Sequence, residues 1–345
     1  MKLFLKKIFI FFIPLFIFSL IAIGTFYVFD PFKILKHYNE YKNSVISYNE
    51  DYIATERYLK NKNHYNSFIF GSSRAGCGFQ TDSWAKYLKK DDFPYSFAAS
   101  NESIYGIIGK IRLINEEKRP MNNVLLVIDT DVTFKKFTNS TGHIYIKHPL
   151  VSKETKQAFI SEYLKDYIFT GFCIAYLDYK CFHTKRSYMT GFLNFKADPN
   201  EKYIAFNVKN KEKQIQTDKD GYYKKRKKLF YVRDSNDNEK VLGKQIVPQG
   251  VEFLKEIRGI FKKHNTNYTI IISPLYDQKK INQNDLDILI EIFGKENVYD
   301  FSGKNYITNQ KNNYYEPSHY RTCVGDEILR VIHQNKKICV GKDNF

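Results

Sequence analysis

The fold of this chain is decided by one stretch, residues 67–79, which reads SFIFGSSRAGCGF. Its apolar residues 68–70 predict a buried strand, and Gly71 ends that strand. Two serines and an arginine follow, and then small residues with which a helix can begin. A serine at a sharp turn from strand to helix is exposed, and unpaired backbone N–H groups of the helix start lie beside it. Because such groups can stabilise an oxyanion, Ser72 and Ser73 are candidate nucleophiles, and an ordinary turn is the alternative.

Strand and helix patterns alternate on both sides of this stretch. Further strands are predicted at 94–100, 124–129, 268–274 and 298–301, and helices at 80–90, 104–113, 251–263, 286–293 and 324–332. The run at 124–129 is continuously apolar and ends in acidic and turn residues, as central parallel strands often do. The alternation therefore predicts an α/β fold with a parallel sheet and flanking helices.

The N-terminus carries the signature of a membrane anchor. Residues 8–29 are 22 positions without a charge, and Lys2, Lys6 and Lys7 precede them. A helix of that length spans the hydrocarbon core of a bilayer. The positive-inside rule places the N-terminus in the cytoplasm and the rest of the chain outside. The run is longer than a usual signal-peptide core and no small-x-small cleavage site follows it, so an uncleaved single-pass anchor is favoured over a signal peptide.

Four segments follow from these patterns. They are a cytoplasmic tip with the anchor (1–30), a membrane-proximal helical stalk (31–65), an α/β domain in two parts (66–134 and 250–345), and an insertion or cap (135–249). The insertion interrupts the strand–helix rhythm with aromatic and lysine-rich sequence, and one helix is expected within it, at 158–169.

Composition limits the classes of protein and of partner. Hydrophobic residues make up 43% of the 345 and aromatic residues 17%, which is enough for a sizeable core and argues against disorder. The net charge of +17 favours anionic partners such as phospholipid headgroups or acidic glycans, and export of the domain argues against nucleic acid. The basic run at 224–228 is read as a solvated face, with contact to headgroups or an acidic glycan as the functional alternative.

The cysteines give no sign of a metal site. None of the five forms a Cys-x-x-Cys pair, and no close His/Cys cluster suggests zinc. In an oxidising compartment Cys173 and Cys181 could close a short disulfide loop, and the equally good alternative is that all five are reduced.

A second motif near the C-terminus can supply what a reactive serine needs. A serine hydroxyl is a poor nucleophile unless a histidine takes its proton, and that histidine needs a carboxylate to orient it. Glu316 and His319 are three residues apart in a predicted loop before a closing helix. With Ser73 they give the order Ser, Glu, His along the chain. The alternative is a plain helix start, in which Ser318 caps the helix and His319 is a surface residue.

These motifs together resemble those of the SGNH (GDSL-like) hydrolase superfamily. The similarity comprises GSSRA at 71–75 after the first strand, the strand at 270–274, residues 298–302, and YEPSHYR at 315–321 followed by VGD at 324–326. It is closest to the membrane-anchored branch associated with acylation of bacterial surface polysaccharides and teichoic acids. The resemblance implies a three-layer α/β fold with a parallel sheet. It also implies no metal and no organic cofactor.

The resemblance further implies roles for individual residues. Ser73 matches the family's nucleophile, His319 its general base and Glu316 its orienting acid, where the family usually has aspartate. Ser72 remains a backup nucleophile.

The family's oxyanion-hole Gly and Asn are harder to match. Their blocks fall near 99–101 and 129–131, and an acid at the second would repel an oxyanion. The backbone N–H of Ser73 and the side chain of Asn101 are the substitutes we expect.

The sequence thus predicts a single-pass membrane protein whose exported domain is a serine esterase or O-acyltransferase acting on a bacterial cell-surface glycan. A transferase would need a multi-spanning membrane partner to deliver the acyl donor. The alternative is a non-catalytic glycan-binding or polysaccharide-assembly protein on a degenerate fold of this type.

Overall fold

A computed structural model of the chain describes residues 2–233 and 239–340, and for residues 2, 3 and 335–340 it describes the backbone alone. The chain divides into two units. The anchor unit comprises Met1–Asn49, Ser140–Pro149 and Lys153–Ile204. The sheet unit comprises Glu50–Asn139, Leu150–Ser152 and Ala205–Phe345.

The sheet unit is built on a five-stranded parallel sheet. Its strands are β1 (Ser67–Phe70), β2 (Pro94–Ser96), β3 (Asn123–Ile128), β4 (Asn267–Ile272) and β5 (Val298–Asp300). Their order across the sheet is β2-β1-β3-β4-β5, and every neighbouring pair is parallel. A separate antiparallel pair joins β6 (Tyr314–Glu316) to β7 (His319–Tyr320). The predicted α/β class with a parallel sheet is therefore confirmed, although β2 ends at Ser96, earlier than expected.

Both units contain α-helices. Along the chain they are α1 (Lys2–Phe29), α2 (Glu50–Asn61), α3 (Ser73–Gly78), α4 (Thr81–Ala85), α5 (Ile104–Glu116), α6 (Pro149–Ser152) and α7 (Lys156–Phe169). They continue with α8 (Phe172–Phe182), α9 (Lys209–Thr217), α10 (Lys219–Lys225), α11 (Pro248–Lys263), α12 (Gln283–Phe293) and α13 (Thr322–Val340). Parallel strands can be joined only through crossover connections, and helices of the sheet unit provide them.

Both faces of the sheet are covered by apolar side chains. Successive strand residues point to opposite faces, so Phe68 and Phe70 enter one cluster while Ile69 enters the other. The first cluster adds side chains from α5, α11 and α12, and the second adds side chains from α3, α9, α10 and α13. Burial on both faces explains why β1, β3 and β4 read as continuous apolar runs in the sequence.

The anchor unit contains the N-terminal apolar helix. Among the described residues α1 is the one helix long and apolar enough to cross a membrane, over Phe4–Phe29. Asp30 ends it in a tight turn, with a positive φ of 41° and a carboxylate that accepts the backbone N–H groups of Ile34 and Leu35. The last turns of α1 pack on α7 and α8, where the ring of Phe26 lies 5.6 Å from that of Tyr167.

Two sequence expectations change in the structure. The predicted helical stalk has helix only in α2, because residues 31–49 form turns and loops. The segment predicted as one insertion is divided: Ser140–Pro149 and Lys153–Ile204 belong to the anchor unit, and the chain from Ala205 onward belongs to the sheet unit.

The four cysteine side chains that the structure describes are free thiols. Cys173 and Cys181 are free and lie eight residues apart on α8, a separation along a helix axis of about 12 Å, which no disulfide bridges. The predicted alternative disulfide between them is therefore wrong. The side chain of Cys339 lies outside the described residues.

Candidate active site

Ser73 stands where β1 turns into α3. Gly71 follows the strand with a φ of 155°, and a Cβ at that position would come within 2.8 Å of the Cβ of Ala75. Glycine is therefore required for the turn. Ser72 is the N-cap of α3, and its Oγ accepts the backbone N–H of Arg74 at 3.1 Å. Ser73 is the first helical residue, and among the described residues its own N–H has no hydrogen-bond acceptor.

Ser73, His319 and Glu316 form one hydrogen-bonded chain. The Oγ of Ser73 lies 2.9 Å from Nε2 of His319, and Nδ1 of His319 lies 2.5 Å from Oε1 of Glu316. Both distances are within the reach that proton transfer requires. The structure thus brings together the three side chains predicted as nucleophile, base and orienting acid, across a separation of 246 residues between serine and histidine.

A short hairpin presents the acid and the base on one side. Glu316 ends β6 and His319 begins β7, and the two are paired in the antiparallel register. Pro317 and Ser318 form the connection, and α13 begins only at Thr322. The alternative in which Ser318 caps a helix start at this point is therefore wrong.

The sheet topology places this site at a switch point. In the order β2-β1-β3-β4-β5, the two neighbours of β1 are β2 and β3. The chain passes from β1 to β2 on one side of it and then crosses to β3 on its other side. In open parallel α/β sheets of this order, ligands bind outside the carboxyl ends of the strands at that point. Ser73 lies directly after the carboxyl end of β1.

Lys211 on α9 is a member of the site that sequence reasoning missed. Its Nζ lies 3.3 Å and 3.5 Å from the two carboxylate oxygens of Glu316. Burial raises the pKa of Glu316, but the hydrogen bond from His319 and the charge of Lys211 outweigh it and hold the pKa below its ordinary value of 4.5. The carboxylate is therefore charged and available to orient the imidazole.

Glu212, also missed, fixes the hairpin to α9. Its carboxylate accepts hydrogen bonds from Arg321 at 3.1 and 2.6 Å and from the hydroxyl of Tyr315 at 2.6 Å. Burial raises the pKa of Glu212, yet the bonds from Arg321 and Tyr315 bring it below its ordinary value. No local signal marks Lys211 or Glu212, because α9 is polar along most of its length and one lysine among many looks like a solvated charge.

Ser72 and Asp129 occupy a buried polar layer beneath the turn. The hydroxyl of Ser72 donates to Oδ2 of Asp129, and both side chains are buried. Arg74 makes a two-pronged bond to Asp131 at 2.6 and 2.9 Å and has a guanidinium nitrogen 3.7 Å from Asp129. In the described residues the hydroxyl that bonds His319 is that of Ser73, whereas the hydroxyl of Ser72 caps α3 and donates to Asp129.

The second predicted oxyanion donor is less well positioned. Asn101 lies in an exposed turn with a positive φ of 52°, and no hydrogen bond in the described part of the chain joins its side chain to the serine turn. The same loop does reach the turn through its backbone, since the N–H of Ala99 donates to the carbonyl of Gly71 at 3.2 Å. The loop is held by buried Lys110, whose Nζ donates to the Phe97 carbonyl at 3.0 Å.

Comparisons with known proteins do not assign this chain. No protein-family model matches the sequence, and no curated protein sequence is significantly similar to it. A function for this chain therefore has to be inferred from the chemistry of the site itself.

Proposed function

We propose that this protein is a membrane-anchored serine esterase or O-acyltransferase of the SGNH type, working through an acyl-enzyme on Ser73. The observation that carries the proposal is the hydrogen-bonded chain from Ser73 through His319 to Glu316. Such a chain is the arrangement that turns a serine hydroxyl into a nucleophile.

The reaction follows from these contacts. The Oγ of Ser73 attacks the acyl carbon of an ester while Nε2 of His319 takes the hydroxyl proton. Glu316 stabilises the imidazolium through Nδ1, and the unpaired N–H of Ser73 donates to the oxyanion. The ester C–O bond then breaks, and His319 returns the proton to the leaving alcohol. Water or a second hydroxyl next attacks the acyl-serine with the same base, which gives hydrolysis or transfer.

The parallel sheet and the order of the site residues support the family assignment. A five-stranded order of β2-β1-β3-β4-β5, a serine after β1 and a C-terminal hairpin with the acid and base agree with the resemblance of the sequence motifs. We infer a three-layer arrangement from the two apolar clusters on the faces of the sheet.

Location and substrate class complete the proposal. Helix α1 anchors the protein in the cytoplasmic membrane with the N-terminus inside, since Lys6 and Lys7 precede the apolar span. The sheet unit then faces the cell exterior, where its substrate is an acylated cell-surface glycan. A transferase in that location needs a multi-spanning partner that delivers the acyl group.

The second candidate is a non-catalytic glycan-binding or assembly protein on the same fold. The acidic pair Asp129 and Asp131 favours it, because both lie where the family resemblance expects an asparagine for the oxyanion. In the described structure Arg74 offsets this charge, since it pairs with both carboxylates.

Labelling with a fluorophosphonate probe distinguishes the two candidates. Full-length protein in detergent is compared with Ser73→Ala, His319→Ala and Ser72→Ala, and circular dichroism verifies that each variant is folded. Catalysis predicts a label on wild type and Ser72→Ala that is lost in the other two. Heat-denatured wild type is the control for unspecific labelling. Folded wild type that takes no label would refute catalysis and leave the binding function.

Once labelling has established a reactive serine, fresh unlabelled protein is used to separate hydrolysis from transfer. An acetyl ester of a chromogenic alcohol is supplied with and without a sugar acceptor. A product that carries the acyl group on the sugar establishes transfer, whereas free acid at an unchanged rate establishes hydrolysis.

A further inference from the structure

Helices α7 and α8 of the anchor unit expose an unusual set of large apolar side chains. Phe169 at the end of α7 is 82% exposed, and Ile174 and Phe182 on α8 are 53% and 65% exposed. Ile174 and Cys181 are seven residues apart and therefore lie on the same face of α8. The opposite face is buried through Cys173 and other residues of the helix. Several large apolar side chains exposed on two adjoining helices indicate an interaction site.

The same two helices are packed on the end of the apolar helix α1. Thr25 Oγ1 lies 3.3 Å from the hydroxyl of Tyr167 on α7. The ring of Phe29, the last residue of α1, lies 6.2 Å from that of Tyr176 on α8. The Nζ of Lys180 on α8 lies 5.5 Å from the ring of Phe29.

The length of α1 sets the depth of these contacts in a bilayer. Residues 8–29 are uncharged and form a helix about 33 Å long at about 1.5 Å per residue. The hydrocarbon core is about 30 Å thick, so a helix that starts at the inner boundary beside Lys6 and Lys7 reaches the outer boundary near Phe29. The residues of α7 and α8 that touch Thr25 and Phe29 therefore lie at the outer boundary of the hydrocarbon core or just inside it.

We propose that α8 and the end of α7 lie in the lipid–water interface of the outer leaflet, with Phe169, Ile174 and Phe182 among the acyl chains. This inference rests on the membrane anchor of the proposed function. Exposed apolar side chains flanked by Lys and Arg bind the interface in this way. The anchor unit would then be fixed to the membrane surface at a second place beside α1.

The charges on this surface favour lipid over a second copy of the chain. Lys180, Lys185 and Arg186 are exposed, and Arg186 lies 5.7 Å above the ring of Phe182 while it also pairs with Asp178 at 2.8 Å. Cations next to exposed apolar groups complement anionic headgroups. Two copies that met through this surface would bring these like charges together. The helices that carry this surface also pack on α1, whose own large apolar side chains are exposed.

Single-tryptophan fluorescence in lipid vesicles tests the proposal on the full chain. The chain has one tryptophan, Trp84, which is buried. In a Trp84→Phe background, Phe169→Trp and Phe182→Trp report on the proposed surface. Phe18→Trp reports the middle of the span, and Val232→Trp, at a position 97% exposed, reports water. Vesicles of phosphatidylcholine and phosphatidylglycerol are compared with the same vesicles containing brominated phosphatidylcholine, and acrylamide is the aqueous quencher.

The expected result is at least a twofold loss of intensity with brominated lipid for the two surface variants and little effect of acrylamide. Val232→Trp should show the reverse. Quenching of the surface variants by acrylamide alone would show water on this surface, and quenching by neither agent would show a protein partner. Either result overturns the proposal, provided that brominated lipid quenches Phe18→Trp. A Phe18→Trp signal insensitive to lipid would instead overturn the anchor itself. If Trp84→Phe fails to fold, the variants are made in wild type and its signal is subtracted.

Discussion

The two adjacent serines should separate when stability and labelling are measured side by side. Ser72→Ala removes the N-cap of α3, which costs about 1 kcal/mol. It also takes the hydroxyl donor from the buried carboxylate of Asp129, and a buried acceptor left unsatisfied costs about 1–3 kcal/mol. We therefore expect the free energy of unfolding of the sheet unit to fall by about 2–4 kcal/mol, from the sum of these two effects. Ser73→Ala should cost less than about 1 kcal/mol, because its half-buried hydroxyl bonds only His319 in the described residues.

Urea unfolding followed by the fluorescence of Trp84 measures this difference. Trp84 is buried in the sheet unit, and so its emission reports that unit. With a slope of about 2 kcal/mol per molar urea, the midpoint of Ser72→Ala should lie about 1–2 M below that of wild type. This prediction is wrong if Ser72→Ala is as stable as wild type. It is also wrong if Ser73→Ala is less stable than Ser72→Ala.

A double-mutant cycle separates the two causes of the loss. If part of the cost comes from the orphaned carboxylate, Ser72→Ala should cost at least about 1 kcal/mol less in an Asp129→Asn background. An equal cost in both backgrounds would leave the cap as the whole effect and would contradict the coupling between Ser72 and Asp129.

Three further predictions concern the support of the site. Lys211→Met should raise the pKa of Glu316, since a lowering charge is lost while burial remains, and should move the loss of fluorophosphonate labelling at low pH to a higher pH, whereas Lys213→Met should leave it unchanged. Glu212→Gln should lower stability by about 1–3 kcal/mol at pH 7. Since its pKa is lowered in the folded protein, this difference should shrink in urea titrations as the pH falls below 4.5, and a difference independent of pH would contradict it. Lys110→Met leaves two buried carboxylates without their cation and should cost about 3–5 kcal/mol of unfolding free energy.

Much of the sheet could be predicted because its signals are local. Strands β1, β3 and β4 are short runs buried on both faces, and such runs are apolar without interruption. The serine turn was equally visible, since Gly71 and two serines after a strand are a local pattern. Glu316 and His319 were found for the same reason, being three residues apart.

Other features depended on contacts that no local pattern carries. The run 33–64 has apolar residues spaced as in a helix, yet residues 31–49 form turns and loops, the first of which is held by the bonds of the Asp30 carboxylate to the N–H groups of Ile34 and Leu35. In sequence, the polar helix α9 looks like a solvated helix. The roles of Lys211 and Glu212 are visible only in the structure, where Lys211 contacts Glu316 and Glu212 contacts Arg321. Likewise, the turn pattern by itself does not distinguish Ser72 from Ser73, since both follow the same glycine, and only the family resemblance favoured Ser73.

The amino-acid sequence alone determined the α/β class, the apolar N-terminal helix and three candidate residues, because burial patterns and short motifs are properties of neighbouring residues. Tertiary structure alone decided which serine faces His319, what Lys211 and Glu212 contact, and where the exposed residues of α8 lie relative to α1. The physical reason is distance along the chain. A hydrogen bond across 246 residues exists only once the sheet has brought the carboxyl end of β1 next to a hairpin near the C-terminus.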